Sequence, residues 1–407
     1  MKEIVGGVTA PIGFTAAGVH CGVKRGSSPD KKDLALILSE TECTAAATYT
    51  RNRVKADPLY TTMEHLKSGT AWGIIANSGN ANACAPGGAE NAQKMCEAAA
   101  NAAGLKSSDF VVASTGVIGQ TLNISAIEAG VPSLVTTLKK EGGSDEAAQA
   151  IMTTDSAKKE LALSFELGGK TLTIGGIAKG SGMIHPNMGT MLCFLTSDVR
   201  ISQEMLNEAL QAVVPRTFNR VTVDGDTSTN DMCVLLCNGM AGNGSIEGRG
   251  ADYEVFRAAL HHVCETLAKA IAADGEGATR LVTCTVSGAE SEEIAECLAK
   301  SVVGSPLVKA AMFGADANWG RVLCAMGYSG ADFKPGQVDV RFRSPKGEIL
   351  VCRQGAGVAF DENAAKEILT TDDITIDVSL GAGGYSVSCW GCDLTYDYVK
   401  INGDYRT

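Results

Sequence analysis

The stretch 179-KGSGMIHPNMGTMLCFLTSD-198 decides how the chain is read. It begins as a glycine-rich loop, passes Pro186, and turns at Thr190 into the apolar run Met191–Leu195. A short continuous apolar run behind turn residues reads as a strand buried on both faces. Thr190 therefore stands at the mouth of a buried strand, directly after Gly189. The loop is not a phosphate-binding loop, because Lys179 precedes its glycines and no Ser or Thr follows a Gly-Lys pair. It is not a dinucleotide fingerprint either, since a proline and a strand follow it in place of a helix.

Two readings of the Gly189–Thr190 junction remain. One is a turn entering a strand. The other is a reaction centre. A threonine hydroxyl is a weak nucleophile unless a base lies beside it. The α-amine of the same residue, with a pKa of about 7.7–8.0, can serve as that base once the preceding bond is cut. Glycine at 189 leaves room for the hydroxyl to attack the Gly189 carbonyl, and an N→O acyl shift with hydrolysis would then free the Thr190 amine.

Composition narrows the field. The chain has 407 residues, 45% hydrophobic but only 5% aromatic, and a formal net charge of −11. It is long enough for two or three domains or one large α/β body. Nucleic-acid binding is not expected from an acidic chain without a basic run. No apolar stretch approaches the roughly 18 residues of a membrane span. The start, MKEIVGGVTAPIGF, lacks a long apolar core, so no signal peptide is expected and the protein is read as cytoplasmic. The fourteen cysteines are read as reduced and structural. Cys389 and Cys392 form the sole CxxC, without a second pair to complete a zinc site, and in a strand they would face opposite ways.

Strands are expected at 34–39, 73–77, 110–114, 191–195, 232–237, 281–287, 338–343 and 374–379. Helices are expected at 89–104, 125–140, 201–214, 252–275 and 291–303. In 252–275 the positions Val255, Ala258, Leu260, Val263, Leu267 and Ile271 fall near a 3.6 period and should share a buried face. A break near 304–307 precedes a strand-rich end, giving an approximate C-terminal α+β subdomain over 304–407. The acidic segment 224-DGDTSTND-231 starts like a calcium loop but lacks its glycine and its final glutamate, so it is read as a turn. The nearest approach to a serine-hydrolase elbow, 327-GYSGA-331, is incomplete. None of His20, His65, His185, His261 and His262 lies beside a plausible nucleophile in sequence.

Several separated motifs change the balance. KGSGMIHPNMGTML resembles the processing site of the ornithine acetyltransferases, also called glutamate N-acetyltransferases. So do 76-ANSGNANAC-84, 114-STGVIG-119, 151-IMTTD-155, 223-VDGDTSTND-231, 274-DGEGATR-280, 316-DANWGR-321 and 398-YVKINGDYRT-407. They follow one another in the family's order over nearly the whole chain. Two departures stand out: Gly189 where the family usually has alanine, and Ala317 where proline is common.

The resemblance implies an αββα sandwich of the kind shared with self-cleaving aminopeptidases. It implies an α chain, 1–189, and a β chain, 190–407, associating as an α2β2 heterotetramer. Thr190 would be the nucleophile, and Thr115 and Gly116 the oxyanion hole. Thr153, Lys179, Thr190, Glu276, Asn402 and Thr407 match substrate-contacting positions. The implied reaction moves acetyl from N2-acetyl-L-ornithine to L-glutamate through an acetyl-Thr190 ester. No metal or tightly bound cofactor is implied. Some members also take acetyl-CoA as a co-substrate, and no motif in the sequence separates the two groups. The rival enzyme reading is an amidase or aminopeptidase of the same fold, with water as acceptor.

Overall fold

The computed structural model describes residues 1–24, 26–185, 191–381 and 383–404. The strand expected from Met191 runs over Leu192–Ser197, and all six of its residues are buried. Its alternate residues point into different cores. Leu192 and Phe194 pack with Ile177, Val234 and Leu236. Cys193 and Leu195 pack with Cys233, Leu235 and helix residues such as Leu206 and Val263. A strand between two apolar layers has no polar face, which explains why its sequence shows no alternation.

This strand lies inside a nine-stranded sheet. The order is Lys2–Ile4, Lys159–Leu167, Lys170–Lys179, Leu192–Ser197, Met232–Cys237, Leu34–Tyr49, Thr70–Asn77 and Phe110–Ser114, with Phe14–Val19 also paired to Leu34–Tyr49. The long strand Leu34–Tyr49 changes register between Leu38 and Cys43. Its first part pairs with Phe14–Val19 and Thr70–Asn77, and its last part with Met232–Cys237. One strand thus serves two β layers. Between them lies an apolar core that takes Ile37, Ile74 and Val111 from one layer and Phe194, Val234 and Leu236 from the other. Helices Gly88–Ala103 and Ile124–Thr136 cover the outside of the first layer through Met95, Ala99, Ile127 and Val131. Helices Gln203–Val213 and Ala251–Ala273 cover the outside of the second. The layers therefore run helix, sheet, sheet, helix, the expected sandwich.

In helix Ala251–Ala273 the buried face is Phe256, Ala259, Leu260, Val263, Leu267 and Ile271. Ala258 faces solvent and Val255 is half-buried. The phase of the face is set by Tyr253 and Phe256, large side chains that the periodicity count left out.

A second sheet of six strands runs Ala356–Gly357, Gly347–Arg353, Asp339–Ser344, Asp373–Ser379, Leu281–Ala289 and Tyr385–Cys392. It has its own core with helices Glu292–Gly304, Pro306–Phe313, Trp319–Gly327 and Glu362–Leu369. Helix Glu292–Gly304 is capped by the Ser291 hydroxyl, which accepts the Ile294 N–H at 3.2 Å. The CxxC thiols do separate: Cys389 belongs to this core and Cys392 to that of the first sheet. All fourteen cysteines are free. Among the described residues no His, Cys, Asp and Glu cluster is arranged to hold a metal ion, and no helix is long and apolar enough to cross a membrane.

Candidate active site

Three loops meet at the ends of the central strands. Asn77 closes strand Thr70–Asn77, is fully buried, and organises the first loop. Its side-chain carbonyl accepts the N–H groups of Gly79 and Asn80 at 3.2 and 3.1 Å. Its backbone carbonyl accepts the Thr115 N–H at 2.9 Å, and its amide donates to Ser114 Oγ at 2.7 Å. The second loop, starting at Thr115, follows strand Phe110–Ser114. The third loop, 224–231, is tied to both: the Asn230 amide donates to the carbonyls of Ala81 and Ser114 at 2.6 and 2.8 Å.

Gly116 sits where these loops touch. Its φ is +131°, and a Cβ there would lie 2.8 Å from Asn80 N and 2.9 Å from Gly79 C. Only glycine fits that backbone and that approach. The Thr115 N–H is already spent on Asn77. Thr115 bridges antiparallel to Asn80, and the Thr115 hydroxyl and the Gly116 N–H are neighbouring donors at this contact.

The opposite side is a buried chain of charges. Lys179 ends strand Lys170–Lys179, is 7% exposed, and donates from Nζ to Thr153 Oγ1 at 2.7 Å. Asp155 Oδ2 lies 3.8 Å from the same nitrogen and accepts the Thr153 N–H at 3.0 Å. Asp155 Oδ1 accepts the Gly180 N–H at 2.7 Å and Lys159 Nζ at 2.8 Å. Burial alone would push the Asp155 carboxyl up. Lys179 and Lys159, with the hydrogen bonds it accepts, hold it well below the usual carboxylate range. Asp155 is thus an ionised carboxylate between two lysines.

Glu276 follows helix Ala251–Ala273. Its N–H donates to the Ser181 carbonyl at 3.0 Å, and its carboxylate accepts the Asn402 amide at 2.8 Å. Asn402 lies on the C-terminal helix Tyr396–Asp404. Gly277, at φ +69°, lets that helix in: a Cβ there would fall 2.6 Å from Tyr398 N.

Around these groups lies a cavity of about 200 Å³. Thr115, Gly116, Thr153, Lys179, Glu276 and Asn402 all line it, so the structure brings together every described site residue of the sequence reading. Gly189, Thr190 and Thr407 lie outside the described residues. Met191 lines the same cavity, and its carbonyl accepts the Met232 N–H at 3.0 Å. Leu192 pairs in register with Lys179.

The acidic segment 224–231 is more than a local turn. Asp224 accepts the N–H groups of Met183 and Ile184 at 2.7 and 2.8 Å, and so anchors the glycine-rich loop. Asp231 lines the cavity, is 2% exposed, and its Oδ2 has no hydrogen-bond partner among the described residues. Burial pushes its carboxyl well up, against the opposing pull of Ser228, Thr50 and Lys179. His185 donates to or accepts from Thr222 Oγ1 at 3.0 Å. Burial, with Lys300 adding to it, pushes its imidazole down to about 4, so it is neutral at pH 7.

Sequence reasoning assigned no role to Asp155, Lys159, Asp231 or Asp274. Asp155, Asp231 and Asp274 lie inside motifs that were singled out, and their motif membership was the available signal. Lys159 carries no local signal of its tie to the site, because Asp274, the partner that links it to the Glu276 side, is 115 residues away.

Comparison with known proteins agrees with the geometry. Residues 15–407 match the ArgJ family. The arginine biosynthesis bifunctional protein ArgJ of Symbiobacterium thermophilum is 50% identical over 408 residues, covering all of both chains. The glutamate N-acetyltransferase of Methanocaldococcus jannaschii is 45% identical over 415 residues, again covering all of both. A crystal structure of arginine biosynthesis bifunctional protein ArgJ from Bacillus halodurans matches with a TM-score of 0.50 and 46% identity, covering 52% of this chain and 98% of that one. With a family match over nearly its whole length and full-length relatives at this identity, the chain belongs to the ArgJ family.

Proposed function

We propose that the protein is a glutamate N-acetyltransferase of the ornithine acetyltransferase type, which moves acetyl from N2-acetyl-L-ornithine to L-glutamate in arginine biosynthesis. The observation that carries this reading is the cavity itself. A hydroxyl and an N–H, from Thr115 and Gly116, lie on its wall with a buried lysine, Lys179, and a carboxylate, Glu276. The strand preceded by Thr190 opens into it at Met191.

In this reading the chain cuts itself between Gly189 and Thr190, giving the α chain 1–189 and the β chain 190–407. The freed α-amine of Thr190 takes the proton of its own hydroxyl as Oγ attacks the acetyl carbonyl. Negative charge builds on the carbonyl oxygen, where the Thr115 hydroxyl and Gly116 N–H meet it. The C–N bond breaks, the proton passes to the departing amine, and ornithine leaves. The amine of glutamate then attacks the acetyl-Thr190 ester and regenerates the hydroxyl. Lys179, with Thr153, pairs the α-carboxylate of either substrate. Glu276, with Asn402 and Thr407, meets the distal ammonium of ornithine. The chemistry needs no metal or bound cofactor. Acetyl-CoA as a second donor, the α2β2 assembly and a cytoplasmic location belong to the same proposal.

Two variants test it. Thr190→Ala should stay one unbroken chain on denaturing gels, where the wild type gives two. Thr115→Ala, assayed on cleaved protein, should lose about 10²–10³ in kcat. Cleavage of the Thr190→Ala chain at the same bond, or unchanged kcat in Thr115→Ala, would contradict the assigned roles. Release of free acetate at the same rate with and without glutamate would favour the amidase reading.

A further inference from the structure

Lys159 is the third charge of the buried chain, and it does not touch the cavity. Its side chain is 2% exposed. Its ammonium donates to three acceptors: Asp155 Oδ1 at 2.8 Å, Asp274 Oδ2 at 2.6 Å and the Ala157 carbonyl at 3.1 Å. Its three N–H bonds are thus all used.

Each carboxylate partner leads to a different wall of the cavity. Asp155 holds the Thr153 and Gly180 N–H groups and sits beside Lys179. Asp274 accepts the Ser156 and Ala157 N–H groups, and its own carbonyl accepts the Ser181 hydroxyl at 2.7 Å. The Ser181 carbonyl in turn accepts the Glu276 N–H. A continuous path therefore runs from Lys179 through Asp155, Lys159, Asp274 and Ser181 to Glu276. It joins strands Lys159–Leu167 and Lys170–Lys179 to the end of helix Ala251–Ala273.

We propose that Lys159 is a positioning residue that fixes the separation of Lys179 and Glu276, and so makes the site selective for the chain length of the acyl donor. The inference rests on the reading above, in which those two residues hold the carboxylate and the distal ammonium of the donor. A donor bearing both charges must span the two walls. If the walls are held rigidly, a donor one methylene shorter or longer cannot meet both charges and keep its acetyl carbonyl at the reaction point. A buried ion network of this kind is weak evidence for stability, since apolar replacements are often neutral or better. Its geometric consequence is the stronger reading.

The test compares N2-acetyl-L-ornithine with N2-acetyl-L-2,4-diaminobutyrate and N2-acetyl-L-lysine, at saturating glutamate, on cleaved wild type, Lys159→Met and Asp274→Asn. The wild type should prefer the ornithine donor by about 10- to 100-fold in kcat/KM. In both variants the preference should shrink to within about threefold, mainly through a higher KM for N2-acetyl-L-ornithine, because the walls no longer keep one spacing. Asp274→Asn keeps its size, and its amide oxygen can still accept from Ser156, Ala157 and Lys159, which all donate to Oδ2. It removes only the charge that holds Lys159, and so decides whether the ion pair sets the spacing where Lys159→Met fails to fold. Preserved selectivity in Asp274→Asn, with a uniform loss across the three donors, would overturn the inference and leave the network merely structural. Absence of transfer from any donor in the wild type would instead overturn the functional reading beneath it.

Discussion

The side-chain amide of Asn402 donates to the Glu276 carboxylate at 2.8 Å, bridging 126 residues of sequence. This single bond orients the carboxylate that faces the cavity. Asn402→Ala should raise the KM for N2-acetyl-L-ornithine by about three- to tenfold, the scale of one partly exposed hydrogen bond to a charged group. The kcat should change by less than twofold. Steady-state kinetics with each substrate varied separately checks this, and an unchanged KM would remove the C-terminal helix from donor binding.

Gly182 lies on the other side of Glu276. A Cβ at 182 would fall 2.3 to 2.4 Å from the atoms of the Glu276 carboxyl group. The backbone there is not left-handed, so Gly182→Ala can fold, and the flexible carboxylate is what must yield. We expect a KM for N2-acetyl-L-ornithine raised about tenfold, with a melting temperature within about 2 °C of wild type, an ordinary surface-scale effect. A KM that stays put would mean that Glu276 does not bind the donor.

Asp231 offers a pH test. Its carboxyl is raised by burial, so the folded state holds its proton to higher pH than the unfolded chain does. Stability from this group is fully present below the unfolded value of about 3.9 and declines as pH rises through the folded value. Asp231→Asn removes the ionisation. The variant should therefore gain stability relative to wild type at pH 8 but not at pH 4, read as denaturation midpoints at the two pH values. Because Asp231 lines the cavity, the same variant should lose at least about tenfold in transfer rate, as expected where a buried polar group is retained for function at a cost in stability. Equal stability differences at both pH values would show that Asp231 is not held neutral.

Much of this was legible in the sequence, for physical reasons that can be named. The run Met191–Leu195 could be read because a strand buried on both sides shows no polar face. The hairpin of Lys159–Leu167 and Lys170–Lys179 was not, because Lys159–Leu167 has no β-branched residue, Gly175 and Gly176 interrupt Lys170–Lys179, and the Gly168–Gly169 turn resembles any other glycine pair. Ala258 was misplaced because the aromatic residues, which set the helix phase, were left out of the count. In the site, Thr115, Gly116, Thr153, Lys179, Glu276 and Asn402 were found through their resemblance to a family, and the fold gathers them around one cavity. The tie made by Lys159 to Asp274 was invisible, because a pairing over 115 residues leaves no trace in either local stretch.

The central claim is that Thr190 carries the acetyl group between two half-reactions. Mass measurement of the separated chains after mixing with N2-acetyl-L-ornithine alone, followed by peptide mapping, tests it directly. The account predicts a β chain that begins at Thr190 and bears one acetyl group on that residue, with ornithine released in equal amount and the label lost as N-acetylglutamate when L-glutamate is added. An unbroken chain that still transfers acetyl, or an acetyl group carried on any other residue, would contradict it.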